Sequence, residues 1–257
     1  SGLCEMAEGA SIRDISASFI EYLKGKSVFM VHTAGKGTRI APIPGSECNS
    51  KSNIKLPGIV TISGREVPMT ILEAVLIMTS IYASSRRDRL SVFWGDQVII
   101  NERDIFFTGQ HHVEIFGELV PLTDDINSYG VLIPTGRGDC KIREKFLKEE
   151  IMGLLSPGDD KVYRSVGSFT VSLSFLDELV KLEEEALTRQ MGILDTDPDW
   201  WQPLTSDKEE YVKATAKKGI PPGKAEAKWE TMKRFWETFK VSENFKDSKF
   251  ERKIGFR

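Results

Sequence analysis

Apolar residues along the chain recur in two rhythms, one of three to four positions and one of two, and the switches between them mark out the elements. Ile12, Ile15, Phe19 and Leu23 keep the helical rhythm, Ser11 with Asp14 three positions on offers a capping box, and Gly25 ends the segment. Residues 27–34 follow as an apolar, β-branched run suited to a central strand of a parallel sheet. Residues 41–53 hold two prolines, a glycine and small polar residues, and read as an exposed loop. Ile59 to Ile62 predicts a strand turned by Ser63-Gly64. From about Met69 to Tyr82 the pattern predicts a helix that is apolar nearly all round and therefore buried. Leu90 to Trp94 is a second core strand, stopped by Gly95-Asp96.

Farther on, Val113 to Leu122 and Tyr129 to Ile133 read as strands, and residues 135–139 as a hairpin turn into Cys140 to Lys145. Ser165 to Val171 is another strand, followed by a helix from Ser174 to about Thr188 with Phe175, Leu179, Leu182 and Ala186 on one face. After Pro221-Pro222-Gly223, the residues Ala225, Trp229, Met232, Trp236 and Phe239 form an aromatic helix face, which either packs back on the domain or meets a partner. Alternating strands and helices predict an α/β chain with a mixed, mostly parallel sheet.

Composition narrows the class. With 40% apolar residues, a chain of 257 can bury a substantial core. No apolar run approaches the ~18 residues of a membrane span, and nothing near the N-terminus reads as a secretory leader. Cys4, Cys48 and Cys140 are widely spaced and odd in number, which argues against a disulfide framework or a zinc site and leads us to expect a cytoplasmic location. Residues 208–257 carry 14 Lys or Arg against 8 Asp or Glu, a local +6 within an overall −3. The signs interleave, so the segment reads as a solvated helix, and neither nucleic acid nor membrane is expected as a partner.

The candidate chemistry lies where the first strand runs out, at Thr33-Ala34-Gly35-Lys36-Gly37-Thr38-Arg39. Gly35 and Gly37 allow positive φ, so that consecutive N–H groups can face an anion. Arg39 adds a planar fork for phosphate oxygens. The turn lacks the Walker A pattern, and Ile40 stands where the Rossmann fingerprint needs its third glycine.

This turn, followed by Lys51, Ile54-Lys55-Leu56-Pro57 and Pro68-Met69, resembles the signature of the sugar-1-phosphate nucleotidyltransferases, the nucleoside-diphosphate-sugar pyrophosphorylases. Further matches come in family order: Gly95-Asp96, Tyr129-Gly130-Val131, Arg143-Glu144-Lys145, Val166-Gly167-Ser168-Phe169 and Ile193-Leu194-Asp195-Thr196-Asp197. The resemblance implies a GT-A/Rossmann-like three-layer α/β fold. It also implies that a nucleoside triphosphate and a sugar-1-phosphate give a sugar nucleotide and pyrophosphate. Residues 33–39 would cradle the triphosphate, with Arg39 on its β and γ phosphates and Lys51 or Lys55 as the second cation. Asp96 and Asp195, or Asp197 in place of the latter, would hold Mg²⁺, and Glu144, Lys145 and Gly167 would hold the sugar phosphate. The chain departs from the pattern at Asn53, Phe146 and Val166, where the family carries lysine, proline, and asparagine or threonine. Between Pro68 and Gly95 there are only 26 residues, where the family carries a base-reading segment.

Three units are expected: a leader and helix over 1–26, the nucleotidyltransferase domain over 27–207, and a basic helical segment over 208–257 that continues in a longer native chain. Two other readings stay open. One is a non-catalytic pyrophosphorylase-like scaffold or sensor. The other is a metal-dependent GT-A glycosyltransferase, disfavoured because no DxD follows a buried strand before Asp195.

Overall fold

A computed structural model describes residues 11–33, 51–99, 112–134, 140–144, 146–184 and 202–240. Its elements run α1 (Ile12–Leu23), β1 (Ser27–His32), a 3-10 turn (Lys51–Asn53), β2 (Lys55–Ile62), β3 (Arg65–Thr70), α2 (Ile71–Ser80), a second 3-10 turn (Ala83–Arg86) and β4 (Arg89–Trp94). After these come β5 (Val113–Pro121), β6 (Gly130–Pro134), β7 (Cys140–Glu144), α3 (Lys148–Met152), β8 (Lys161–Ser172), α4 (Leu173–Leu182), α5 (Gln202–Thr205), α6 (Lys208–Ala216) and α7 (Pro222–Lys240). The Ser11 capping box forms as expected, with Asp14 N–H donating to Ser11 Oγ at 3.1 Å.

The chain is mixed α/β, but the expectation of a mostly parallel sheet is corrected. Among the described residues only β1 and β4 pair in parallel, from Ser27 opposite Arg89 to His32 opposite Trp94. The pairings β4–β8, β5–β8, β6–β7 and β6–β8 are antiparallel. A parallel pair needs a long crossover, which the segment containing α2 supplies for β1 and β4, whereas β6 and β7, separated by five residues in sequence, pair antiparallel; the hairpin turn expected over 135–139 lies outside the described residues. Nor is β1 central: it lies at one end of the described strand order, with Phe29 and Met30 exposed. The strands β2 and β3 form a separate hairpin.

A second correction concerns α2. Thr70 ends β3 and caps the helix through a box with Glu73, so the helix starts at Ile71. It buries Ala74, Val75 and Thr79 but leaves Ile77 exposed, as is Ile81 just past its end. Burial follows the alternation of β4: Phe93 packs with Val75 of α2 and Phe116, while Leu90, on the opposite face, packs with Val113, Val171 and Phe175. Helices therefore cover both faces of this strand.

The aromatic face of α7 packs back on the domain. Ala225 and Met232 are fully buried, and Phe235 and Trp236 meet Phe175 edge-on at ring-centroid distances of 5.3 and 6.1 Å. Burying a side chain such as Phe175 contributes roughly 1.5–3 kcal/mol. No described helix is long and apolar enough to cross a membrane.

A polar seam runs through the junction of β4, β5 and β8. Arg89 Nε donates to Thr170 Oγ1 at 3.1 Å, Ser91 Oγ donates to the same oxygen at 3.2 Å, and Glu114 lies 3.9 Å from the guanidinium. His112 closes the seam, its Nδ1 lying 2.8 Å from Ser172 Oγ and 3.3 Å from Ser174 Oγ. Its pKa falls below the ordinary 6.5, first because burial disfavours the imidazolium and then because Arg89 repels it. The unfolded chain therefore binds this proton more readily, so the stability that His112 contributes is present above about pH 6.5 and is lost as pH falls through the lowered value. In urea titrations followed by circular dichroism, the loss of midpoint between about pH 7.5 and pH 5 should be smaller in His112→Gln than in the wild type. An equal loss in both would exclude His112 as its source.

Candidate functional site

The parallel strands β1 and β4 end side by side, and their C-terminal edge collects residues from distant parts of the sequence. Gly95 N–H donates to His32 C=O at 3.0 Å, which extends the pairing one step past β4. A Cβ on Gly95 would stand 3.0 Å from each of Ser52 Oγ, Thr33 Cγ2 and Val31 Cγ1. Glycine is thus what lets the Lys51–Asn53 turn close against both strand ends. Ser52 is buried in that contact, and Ile54 ties the turn to α2 by accepting from Ile71 N–H at 2.9 Å.

The closure brings Lys51 to Asp96, with Nζ 3.0 Å from Oδ2. The side chains are 43% and 26% exposed, so the pair contributes at most about 1 kcal/mol to stability. Lys55, the other candidate cation, is not brought there. It opens β2 opposite Thr70, and its charge helps to hold Glu73 below the usual carboxylate range, behind the larger effects of the Thr70 N–H and hydroxyl.

Gly167 sits at a split in the sheet. Because β5 runs along one side of β8, β4 and β6 share the other: β4 pairs with residues 169–172 and β6 with Arg164 and Tyr163. Between them the register of β5 against β8 slips, and Gly167 takes φ +71°. A Cβ there would overlap the Trp94 indole at Nε1 and stand 2.8 Å from its Cδ1. The Trp94 ring in turn lies 4.5 Å from the His32 ring, tilted by 60°. Across the split, Gly130 of β6 pairs with Glu144 of β7, so the Glu144 backbone flanks the far side.

Thr33, Lys51, Asp96 and Gly167 thus gather around the ends of β1 and β4, with Glu144 on the neighbouring hairpin and Lys55 apart. Ala34, Gly35, Lys36, Gly37, Thr38, Arg39, Lys145 and Asp195 lie outside the described residues. Sequence reasoning missed Trp94 and His32. The one available signal was a bulky aromatic immediately before Gly95-Asp96.

Among the described residues, no group of three or more His, Cys, Asp or Glu assembles for a metal. Asp96 does hold one cationic group, the Lys51 ammonium, at the sheet edge.

A scan against protein-family models returns no match, and a search of curated protein sequences likewise returns none.

Gly167→Ala should cost about 2 kcal/mol or more, from the left-handed backbone and the overlap with Trp94. Combined with Trp94→Ala, it should cost less than the sum of the two single changes. Denaturant midpoints of the four proteins measure this, and strict additivity would show that the indole does not press on Gly167.

Proposed function

We propose that the chain transfers a nucleotidyl group from a nucleoside triphosphate to a sugar-1-phosphate, releasing pyrophosphate, on a GT-A-like scaffold and in the cytoplasm. The observation that carries this reading is the ion pair of Lys51 with Asp96 at the end of the parallel pair β1–β4, beside Gly167 under the Trp94 indole. Each comes from a different motif of the resemblance, and each is far from the others in sequence. An open α/β sheet binds ligands at the carboxyl ends of its strands, which is where these residues lie.

The reaction is an in-line attack by a phosphate oxygen of the sugar-1-phosphate on the α-phosphorus. The attacking oxygen is already ionised, so no strong general base is needed, and the work is positioning and charge neutralisation. The backbone from Thr33 to Gly37 would cradle the phosphates and Arg39 would hold the leaving pyrophosphate. Lys51 would neutralise charge on the transferred phosphoryl group, while Glu144, Lys145 and the exposed backbone of Gly167 would orient the sugar phosphate. Mg²⁺, held by Asp96 and Asp195, would supply further neutralisation of phosphate charge when bound.

Pyrophosphate release, measured with Mg²⁺ over a panel of nucleoside triphosphates and sugar-1-phosphates, tests the proposal. Turnover is expected with at least one pair. None with any pair, alongside retained nucleotide binding, would overturn it and leave a nucleotide-binding scaffold. Arg39→Ala, Asp96→Asn and Lys51→Met should each lower kcat/KM at least about tenfold, the size of losing one electrostatic contact at the transition state. Lys55→Met should stay within about twofold, since an exposed charge away from the chemistry changes little.

A further inference from the structure

We propose that the chain forms a twofold dimer through the outer edge of β1, each copy adding its strand antiparallel to the other's so that the two large sheets run on into one. Such a dimer does not depend on the reaction proposed above. Three strands of the large sheet have a single strand partner among the described residues: β5 on β8, β7 on β6 and β1 on β4. An open edge is a template for pairing unless charge or proline blunts it. β5 carries Glu114, Glu118 and Pro121, and β7 carries Lys141, Arg143 and Glu144. β1 holds no Lys, Arg, Asp or Glu and no proline from Ser27 to His32.

Phe29 and Met30 are 38% and 53% exposed, and being adjacent on a strand they point to opposite faces of the sheet. Register places Phe29 beside Ser91, on the face where Phe93 meets α2, and Met30 beside Val92, on the face of Leu90. A partner laid on one face would cover only one of them, while a strand added at the edge flanks both. The backbone fixes which groups that strand would meet. Lys26 C=O accepts from Asp88 N–H and His32 C=O from Gly95 N–H, each at 3.0 Å, so the even-numbered residues face β4. The N–H and C=O of Ser27, Phe29 and Val31 therefore face outward. Two such edges pair antiparallel only with odd-numbered residues opposite one another. With a twofold axis at Met30, Phe29 exchanges hydrogen bonds with Val31 of the second copy, and Ser27 with Thr33 of the second copy. Met30 then stands against Met30 in the close, non-hydrogen-bonded position, and Val28 against His32. No like charges are opposed. The neighbouring register, centred on Phe29, would set Lys26 against His32 instead. Self-complementarity of this kind is what an isologous interface requires, and it favours a second copy over an unrelated strand.

A strand of 6 residues makes a small interface, so the dimer should be weak, with a micromolar Kd or above. Sedimentation equilibrium of the full chain, from low to high micromolar concentration, tests this in wild type, Met30→Lys, Met30→Glu, an equimolar mixture of those two, Met30→Thr and Ile59→Lys. Near-UV circular dichroism checks that each keeps the fold. Wild type should pass from monomer to dimer. Met30→Lys and Met30→Glu should each weaken association at least about tenfold, because like charges then face across the axis, and the mixture should recover it as a heterodimer. Met30→Thr, which suits a strand, should weaken it less. Ile59→Lys, at a 65% exposed apolar position on the β2–β3 hairpin, should leave it unchanged. Amide hydrogen exchange of the wild type needs no variant, and decides the matter should a charged variant misfold. Phe29 and Val31 should gain protection as concentration rises, while Met30, bound to β4, is protected throughout. A wild type that stays monomeric overturns the dimer and leaves the edge to an unrelated strand. A dimer that survives in both charged variants, a mixture that fails to recover it, loss of it in Ile59→Lys, or exchange at Phe29 and Val31 that ignores concentration each overturns the pairing.

Discussion

The architecture depends on the backbone hydrogen bonds of β8. This strand pairs with β5 along one side and with β4 and β6 on the other, so three of the strands in the large sheet are held by it directly, and β1 and β7 through one intermediary. Buried N–H and C=O groups must all find partners, and a strand shared by three neighbours meets that demand only if each keeps its register. The left-handed turn of Gly167 is where the demand is relaxed. There the pairing of β8 with β4 has stopped and its pairing with β6 has not begun, so the two neighbours part and the backbone of Gly167 is exposed.

Two arginines fix the start of β4 and the crossover leading to it, and so decide where Gly95 and Asp96 arrive. Arg89 is held in the polar seam by Thr170 and faces Glu114. Arg86 donates to the carbonyls of Thr79 and Tyr82 and stacks its guanidinium 4.9 Å above the Phe93 ring. Burial pulls its pKa down to about 10, still well above neutrality, so it remains charged. Losing the carbonyl partners would leave a buried cation unpaired, which is among the costliest defects a core can carry. The second 3-10 turn is thereby locked to the end of α2, and β4 is delivered beside β1 in one register.

Much of the local structure was legible in the sequence, since capping boxes, alternation and turn residues act over a few positions. The Ser11 box, the Ser63-Gly64 hairpin and the stop at Gly95 are of this kind. The direction of pairing was not legible. An apolar run such as Val28 to Val31 suits a buried strand of either type, and which edge it joins depends on β8, far away in the chain. The extent of α2 was misread for a related reason: Met69 and Thr70 fit the apolar helical pattern, but both belong to β3, where Thr70 pairs with Lys55 of β2. At the site, Lys51 and Lys55 could not be separated by spacing alone, because their distance to Asp96 is set by a contact between Ser52 and Gly95 that no local pattern announces. The place of Trp94 over Gly167 follows from strand register, which a motif does not encode.

That last contact bears on how this sequence can change over evolutionary time. The indole fills the space that a side chain at position 167 would need, so a lineage that keeps Trp94 favours glycine there. A smaller residue at position 94 would remove the overlap but not the left-handed backbone, so position 167 would still favour glycine. The two sites should therefore behave as one heritable unit, and tryptophan paired with glycine at these positions becomes a criterion by which distant relatives of this chain can be recognised.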